Sequence, residues 1–213
     1  MKVQMLPGEM VHSNTYLLCD DAHTACALID PSGDVATLNR ALAACGLPLQ
    51  TVLLTHGHFD HINLVDSICT PRALPVHVHA LDAAMLTDGQ KNLSVFFGAP
   101  FTVQTPVRTM QQGDTISVGT QVLHVLHTPG HTPGGACFYA DGILISGDTL
   151  FAGSVGRTDF PQGSMTQLME SIDKSLAKLP PDTQVYPGHG EATTIGRELR
   201  ENPYLNGGGA WSY

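Results

Sequence analysis

Short apolar runs broken by Gly, Pro and Asp dominate the chain and set its expected elements. Val3–Leu6 and Asn14–Cys19 predict strands, and after a turn at Asp20-Asp21 a third strand is expected over His23–Asp30, where Cys26 to Ile29 is apolar throughout. Pro31-Ser32-Gly33 interrupts the pattern. Asp34 then stands as the N-cap of a helix whose Leu38, Ala41, Leu42 and Cys45 share one face, and Gly46 supplies the stop. Gln50–Leu54 reads as a buried strand. A helix over about Asp60–Ile68 stopped by Pro71, a strand at Pro75–Val78 and a helix over Leu81–Thr87 are expected next.

Residues 88–113 read as loop, with an unassigned apolar patch at Leu93-Ser94-Val95-Phe96-Phe97. Alternation returns at Thr115–Val118, Gln121–Leu126, Gly135–Tyr139 and Ile143–Ser146, which predict strands joined by Gly turns. Ser164 is placed to cap a helix, Gln167 sits where a capping box wants it, and Leu168, Ile172, Leu176 and Leu179 form the apolar stripe. Pro180-Pro181 ends that helix, and Gln184–Tyr186 is the last expected strand. Strand runs with few helices between them suggest layered sheets flanked by helices, an α/β class.

The chain has 213 residues, 42% of them hydrophobic and 14% charged, enough apolar material for one domain over residues 1–213, with 206–213 expected as a mobile tail. Ten Lys and Arg against nineteen Asp and Glu give a net charge of −9, which argues against nucleic acid as a partner. No apolar run approaches the roughly 18 residues of a membrane span, and Pro7, Gly8 and Glu9 interrupt any signal core after Met1, so the expectation is a cytoplasmic protein without a membrane partner. The five cysteines, Cys19, Cys26, Cys45, Cys69 and Cys137, show no C-x-x-C pair and are expected to be reduced and buried as small hydrophobes.

Four potential metal ligands fall within His56-Gly57-His58-Phe59-Asp60-His61, directly after a buried strand and before a helical stretch. His58 and His61 are three apart, so a helical turn puts them on a common side. Three further segments place a ligand-type side chain at a strand end among small or rigid residues: His131 in Thr128-Pro129-Gly130-His131-Thr132-Pro133-Gly134, Asp148 in Ser146-Gly147-Asp148-Thr149, and His189 in Pro187-Gly188-His189-Gly190. Imidazole and carboxylate without thiolate suit Zn²⁺, Mn²⁺ or Fe²⁺.

This set resembles the metallo-β-lactamase-fold hydrolases, from Asn14-Thr15-Tyr16 and Leu28-Ile29-Asp30-Pro31 to Asn202-Pro203. The resemblance implies an αββα sandwich with the metals at one edge of the two sheets. It also implies His56, His58 and His131 around a first metal, Asp60, His61 and His189 around a second, and Asp148 bridging them. Gly156-Arg157-Thr158-Asp159-Phe160-Pro161 is similar to a stretch in short glyoxalase II-like proteins and in related persulfide dioxygenases. Two features depart from the pattern. Ile62-Asn63-Leu64 stands where the family often has Gly, and the chain ends too soon after His189 for the C-terminal helical domain of full-length glyoxalase II.

Two divalent ions can bring the pKa of a shared water to about 7, supplying hydroxide without a Ser or Cys nucleophile. The leading expectation is therefore a binuclear, most simply zinc, hydrolase that uses a metal-bound hydroxide to cleave a small-molecule 2-hydroxyacyl thioester such as S-lactoylglutathione. Asp60 is the candidate for steering the nucleophile or relaying a proton. A mononuclear iron persulfide dioxygenase and a non-catalytic metal-binding module on the same fold are the alternatives. Asp30 either supports the metal loop or forms a turn before Pro31. Arg157 either braces against Asp159 or meets an anionic substrate group. Phe59, Phe151 and Phe160 are candidates for a pocket over the metals and equally for the core. Residues 88–113 are the expected seat of substrate selectivity. His12, His23, His77, His79, His124 and His127 are read as structural.

Overall fold

The computed structural model describes residues 1–8, 13–98 and 100–206. His12 and tail residues 207–213 lie outside the described residues. Six strands build the first sheet: β1 (Lys2–Leu6), β2 (Thr15–Cys19), β3 (Cys26–Ile29), β4 (Leu49–Leu53), β5 (Val76–His79) and β6 (Val107–Met110), side by side in that order. β1 to β3 pair antiparallel, whereas β3 to β6 pair parallel. The second sheet uses β7 (Thr115–Val118), β8 (Gln121–His127), β9 (Ala136–Ala140) and β10 (Ile143–Gly147). After a small ribbon of β11 (Leu150–Phe151) and β12 (Ser154–Val155), it is completed by β13 (Gln184–Pro187) and β14 (Thr193–Thr194), in the order β14-β13-β10-β9-β8-β7.

Alternation along the strands sorts the side chains into layers. Tyr16, Leu18, Ile29 and Leu53 meet Val125, Phe138 and Ile145 between the two sheets. Their neighbours Leu17, Leu28 and Val52 turn outward onto α1 (Val35–Cys45), α2 (Phe59–Ile62) and α3 (Val65–Cys69). On the far side, Leu144 and Val185 pack with α4 (Met165–Ser171) and α5 (Ile195–Glu201), which α6 (Pro203–Asn206) follows. The four layers are the αββα sandwich expected.

Asp34 caps α1 by accepting the Thr37 amide at 2.7 Å, and Gly46 ends it at φ 67°. Ser164 caps α4 by accepting the Gln167 amide at 3.3 Å. Several expected elements differ. The third strand starts only at Cys26, because the Asp20 carboxylate accepts the Thr24 and Ala25 amides and holds that stretch in a turn. The helix expected over Asp60–Ile68 breaks at Asn63-Leu64, where the Leu64 amide donates to Pro31 instead of continuing the spiral. Pro71 does not stop the chain's winding, since it sits in the first turn of a 3₁₀ segment, Thr70–Arg72, where no amide donor is needed. Leu81–Thr87 holds only a 3₁₀ turn at Ala83–Met85.

The segment expected as loop contains a 3₁₀ turn at Ser94–Phe97 and the edge strand β6. α4 widens into a π turn over Ile172–Leu176. Among the described residues, all five cysteines are free, Cys45 being half-buried and the rest buried, and no helix is long and apolar enough to cross a membrane.

Candidate metal centre

The parallel strands β3, β4 and β5 and the parallel pair β10 and β13 all release their carboxyl ends toward one edge of the sandwich. β4 leads into His56-Gly57-His58, and α2 starts immediately, so Asp60 and His61 occupy its first turn. Gly57 permits a close approach there, since a Cβ would lie 2.7 Å from that of Met85. From the second sheet, β8 feeds the loop that carries His131, β10 ends at Gly147 just before Asp148, and β13 ends at Pro187 shortly before His189. The Asn14 side chain donates to the carbonyls of Pro187 and Gly190, and the Tyr16 hydroxyl donates to Pro187 at 2.6 Å, fixing the His189 turn.

All seven side chains expected from the sequence meet. His58 Nδ1 lies 3.1 Å from His56 Nε2 and 2.9 Å from His131 Nε2. His189 Nε2 is 3.3 Å and His61 Nε2 3.6 Å from Asp60 Oδ2. Asp148 stands between the two groups: Oδ2 is 3.5 Å from His131 and 3.6 Å from His189, while Oδ1 is 3.4 Å from His61. His56, His58 and His131 form one cluster able to hold an ion, and Asp60, His61 and His189 form another.

Three of the imidazoles, those of His61, His131 and His56, are oriented through the other nitrogen. His61 Nδ1 donates to Asp30 Oδ2 at 2.9 Å, and His131 Nδ1 donates to the Arg157 carbonyl at 2.7 Å. His56 Nδ1 lies 3.2 Å from the Thr55 hydroxyl, which itself donates to Asp30. With those protons outward, the inward nitrogens present lone pairs, the arrangement in which second partners hold metal-binding histidines. Asp30 thus supports the loop, and its backbone adopts φ 50° while its carboxylate holds the Thr55 amide and hydroxyl.

Burial pushes His56 and His58 well below their ordinary pKa, and their imidazole neighbours add to the effect, so both stay neutral donors. In the other cluster the carboxylates decide. Burial opposes charge on His61, but Asp60, Asp148 and Asp30 outweigh it and lift the group to about 10. Burial would likewise raise Asp60, yet His61 and His189 hold it at about 2. His61 Nε2 and Asp148 Oδ1 are buried and have no hydrogen-bond partner among the described residues. Two such orphans facing each other, an imidazole nitrogen whose extra proton a cation would displace and a carboxylate oxygen, fit a divalent ion, whose ligands are this donor set.

Asp82 gave no signal in the sequence. Fully buried, it accepts the Gly57 amide at 3.1 Å, the Thr132 hydroxyl at 2.7 Å and the Gly134 amide at 2.6 Å, clamping the first histidine loop to the loop of His131. His79 and His127 stack at 4.0 Å outside the ligand clusters. Arg157 braces as a bidentate pair with Asp159, both contacts at 2.7 Å. A cavity of about 390 Å³ opens over the clusters, and Phe59, Phe151 and Phe160 line it, joined by Leu93 and Phe97 from the 88–113 segment.

The profile of the metallo-beta-lactamase superfamily matches residues 8–189. Hydroxyacylglutathione hydrolase GloC of Haemophilus influenzae is 34% identical over 210 residues, 97% of this chain and 99% of that protein. Two solved structures are similar: the BLEG-1 B3 metallo-beta-lactamase, at 36% identity and TM-score 0.90 over 96% of this chain and 100% of that one, and TTHA1623 in a di-iron-bound form, at 36% identity and TM-score 0.83 over 95% and 100%. With fold, ligand-type residues and profile in agreement, the chain belongs to the metallo-beta-lactamase superfamily.

Proposed function

We propose that the chain is a metal-dependent hydrolase cleaving a thioester of the 2-hydroxyacyl class, S-lactoylglutathione being the probe substrate. His56, His58 and His131 would hold one divalent ion, Asp60, His61 and His189 a second, and Asp148 would touch both, with zinc the first choice and iron or manganese the others. The observation that carries the reading is the pair of buried, unpartnered atoms, His61 Nε2 and Asp148 Oδ1, beside a cavity that Asp148 lines and that, among the described residues, neither Ser nor Cys lines. Ions bound there supply water acidified toward neutral pH and a Lewis acid for the carbonyl oxygen. In the net reaction a water oxygen bonds to the carbonyl carbon, the C–S bond breaks, and the sulfur leaves as thiol with the proton.

The protein's own groups position these events. Asp60, half-buried at the cavity wall, orients the attacking water by accepting its hydrogen. Asp30 and Thr55 keep the donor nitrogens aimed inward. The similarity to GloC supports the thioester as the bond broken.

The test is an assay of S-lactoylglutathione cleavage against measured metal content, before and after chelation. Turnover that rises with occupancy to two ions per chain is expected. One iron per chain with oxygen uptake on glutathione persulfide, and no thioester cleavage, would replace this reading with the dioxygenase one.

A further inference from the structure

We infer that the substrate's acyl group carries a bulky apolar substituent, an aryl group by preference, which seats in an aromatic collar directly over the metal clusters. This rests on the thioesterase reading and names its substrate class. The collar begins one ring away from the ligand atoms: the Phe160 ring is 5.5 Å from that of His58 and 6.4 Å from that of His131, and Phe151 lies 6.2 Å from His189. Phe59 and Phe97 line the same cavity with their rings 4.5 Å apart, and Leu93 lines it with them.

This wall is built in advance. The Phe59 amide donates to the Asn92 carbonyl at 2.9 Å, the Asn92 side chain donates to Phe101 at 2.8 Å and accepts the Ser94 amide at 3.0 Å, and Leu93 is held at φ 69° with its side chain buried. A left-handed backbone at a leucine is strained and persists only where the surroundings enforce it. Phe97 nonetheless remains 58% exposed, an aromatic face turned to solvent beside the cavity mouth.

Charge recognition is weak in the same place. Arg157 is the one Lys or Arg lining this cavity among the described residues; Asp159 already takes one edge of its guanidinium through Nε and Nη2, and its Cζ lies 4.1 Å over the Phe160 ring. A polar carrier is served better next door. A second cavity of about 250 Å³ meets the first at His58 and Leu93 and presents Gln90, Lys91 and Gln162. The two cavities therefore separate an apolar acyl seat from a polar seat for the thiol carrier.

The experiment compares S-mandeloylglutathione with S-lactoylglutathione, which differ only in phenyl for methyl, on metal-loaded protein. Burying the aryl group predicts a kcat/KM higher by about tenfold or more for the mandeloyl ester. Phe97→Ala removes an exposed ring without endangering the fold, and it should pull the ratio down toward one. If both esters are cleaved and mandeloyl is no better than lactoyl, the collar inference fails while the thioesterase reading stands. If neither is cleaved, that reading fails. Calorimetry with the uncleavable thioethers S-(2-hydroxy-2-phenylethyl)glutathione and S-(2-hydroxypropyl)glutathione then decides the collar: tighter phenyl binding that Phe97→Ala abolishes supports it, and equal binding overturns it.

Discussion

Asp30 Oδ2 lies 2.9 Å from His61 Nδ1, and this contact fixes which nitrogen of His61 faces Asp148. Without the carboxylate the ring is free to turn and to carry its proton on the inner nitrogen. Asp30→Ala should therefore weaken metal binding by about 10- to 100-fold. Competition against a chelator of known affinity reads this directly, and wild-type affinity in the variant would remove Asp30 from the machinery.

Asp82→Ala should both loosen the centre and destabilise the fold. It strands the amides of Gly57 and Gly134 and the Thr132 hydroxyl in a buried position, a loss of roughly 3 kcal/mol. Urea unfolding of metal-free protein isolates the stability part, and a midpoint equal to wild type would contradict it.

Gly188→Ala tests how tightly the centre is packed. A Cβ at that position would overlap Asp148 Oδ1 and sit 2.8 Å from His61 Cε1, so the carboxylate must swing away. Metal content after saturation should fall below that of wild type, with far-ultraviolet circular dichroism unchanged.

Acid should weaken the fold through His79. Burial lowers its pKa to about 4, with His127 adding to the effect and Asp114 opposing it. Between that value and the ordinary 6.5 the unfolded chain binds the proton and the folded one does not. The contribution is complete above pH 6.5 and is lost as pH falls toward 4, on the order of 1–3 kcal/mol. His79→Gln should flatten the difference in unfolding midpoint between pH 7.5 and 5; an undiminished difference would assign it to other groups.

What the sequence revealed follows from range. His56, His58, Asp60 and His61 are legible because one strand end and one helical turn hold them all, and His131, Asp148 and His189 because each stands at a strand end among Gly and Pro. Asp82 was invisible: its partners Gly57 and Gly134 lie 25 and 52 residues away, and its own surroundings read only as a helix start. Asp30 could be read two ways for the same reason, since Thr55 and His61 reach it only through the fold. β6 escaped notice because a four-residue edge strand has one neighbour to impose a pattern. The interruption at Asn63-Leu64 depends on the Pro31 carbonyl, which periodicity does not register.

The donor set is divided between the two sheets, and His58 meets His131 across 73 residues of intervening chain. Neither sheet alone presents a complete centre, so a cation bound there acts as a rivet between halves made at different moments of synthesis. The group of His56, His58 and His131 is complete in sequence at residue 131, whereas the group of Asp60 and His61 waits for His189, which follows β13. An ion held there would give the two sheets a second tie beside their shared apolar layer, at the edge where the cavity opens.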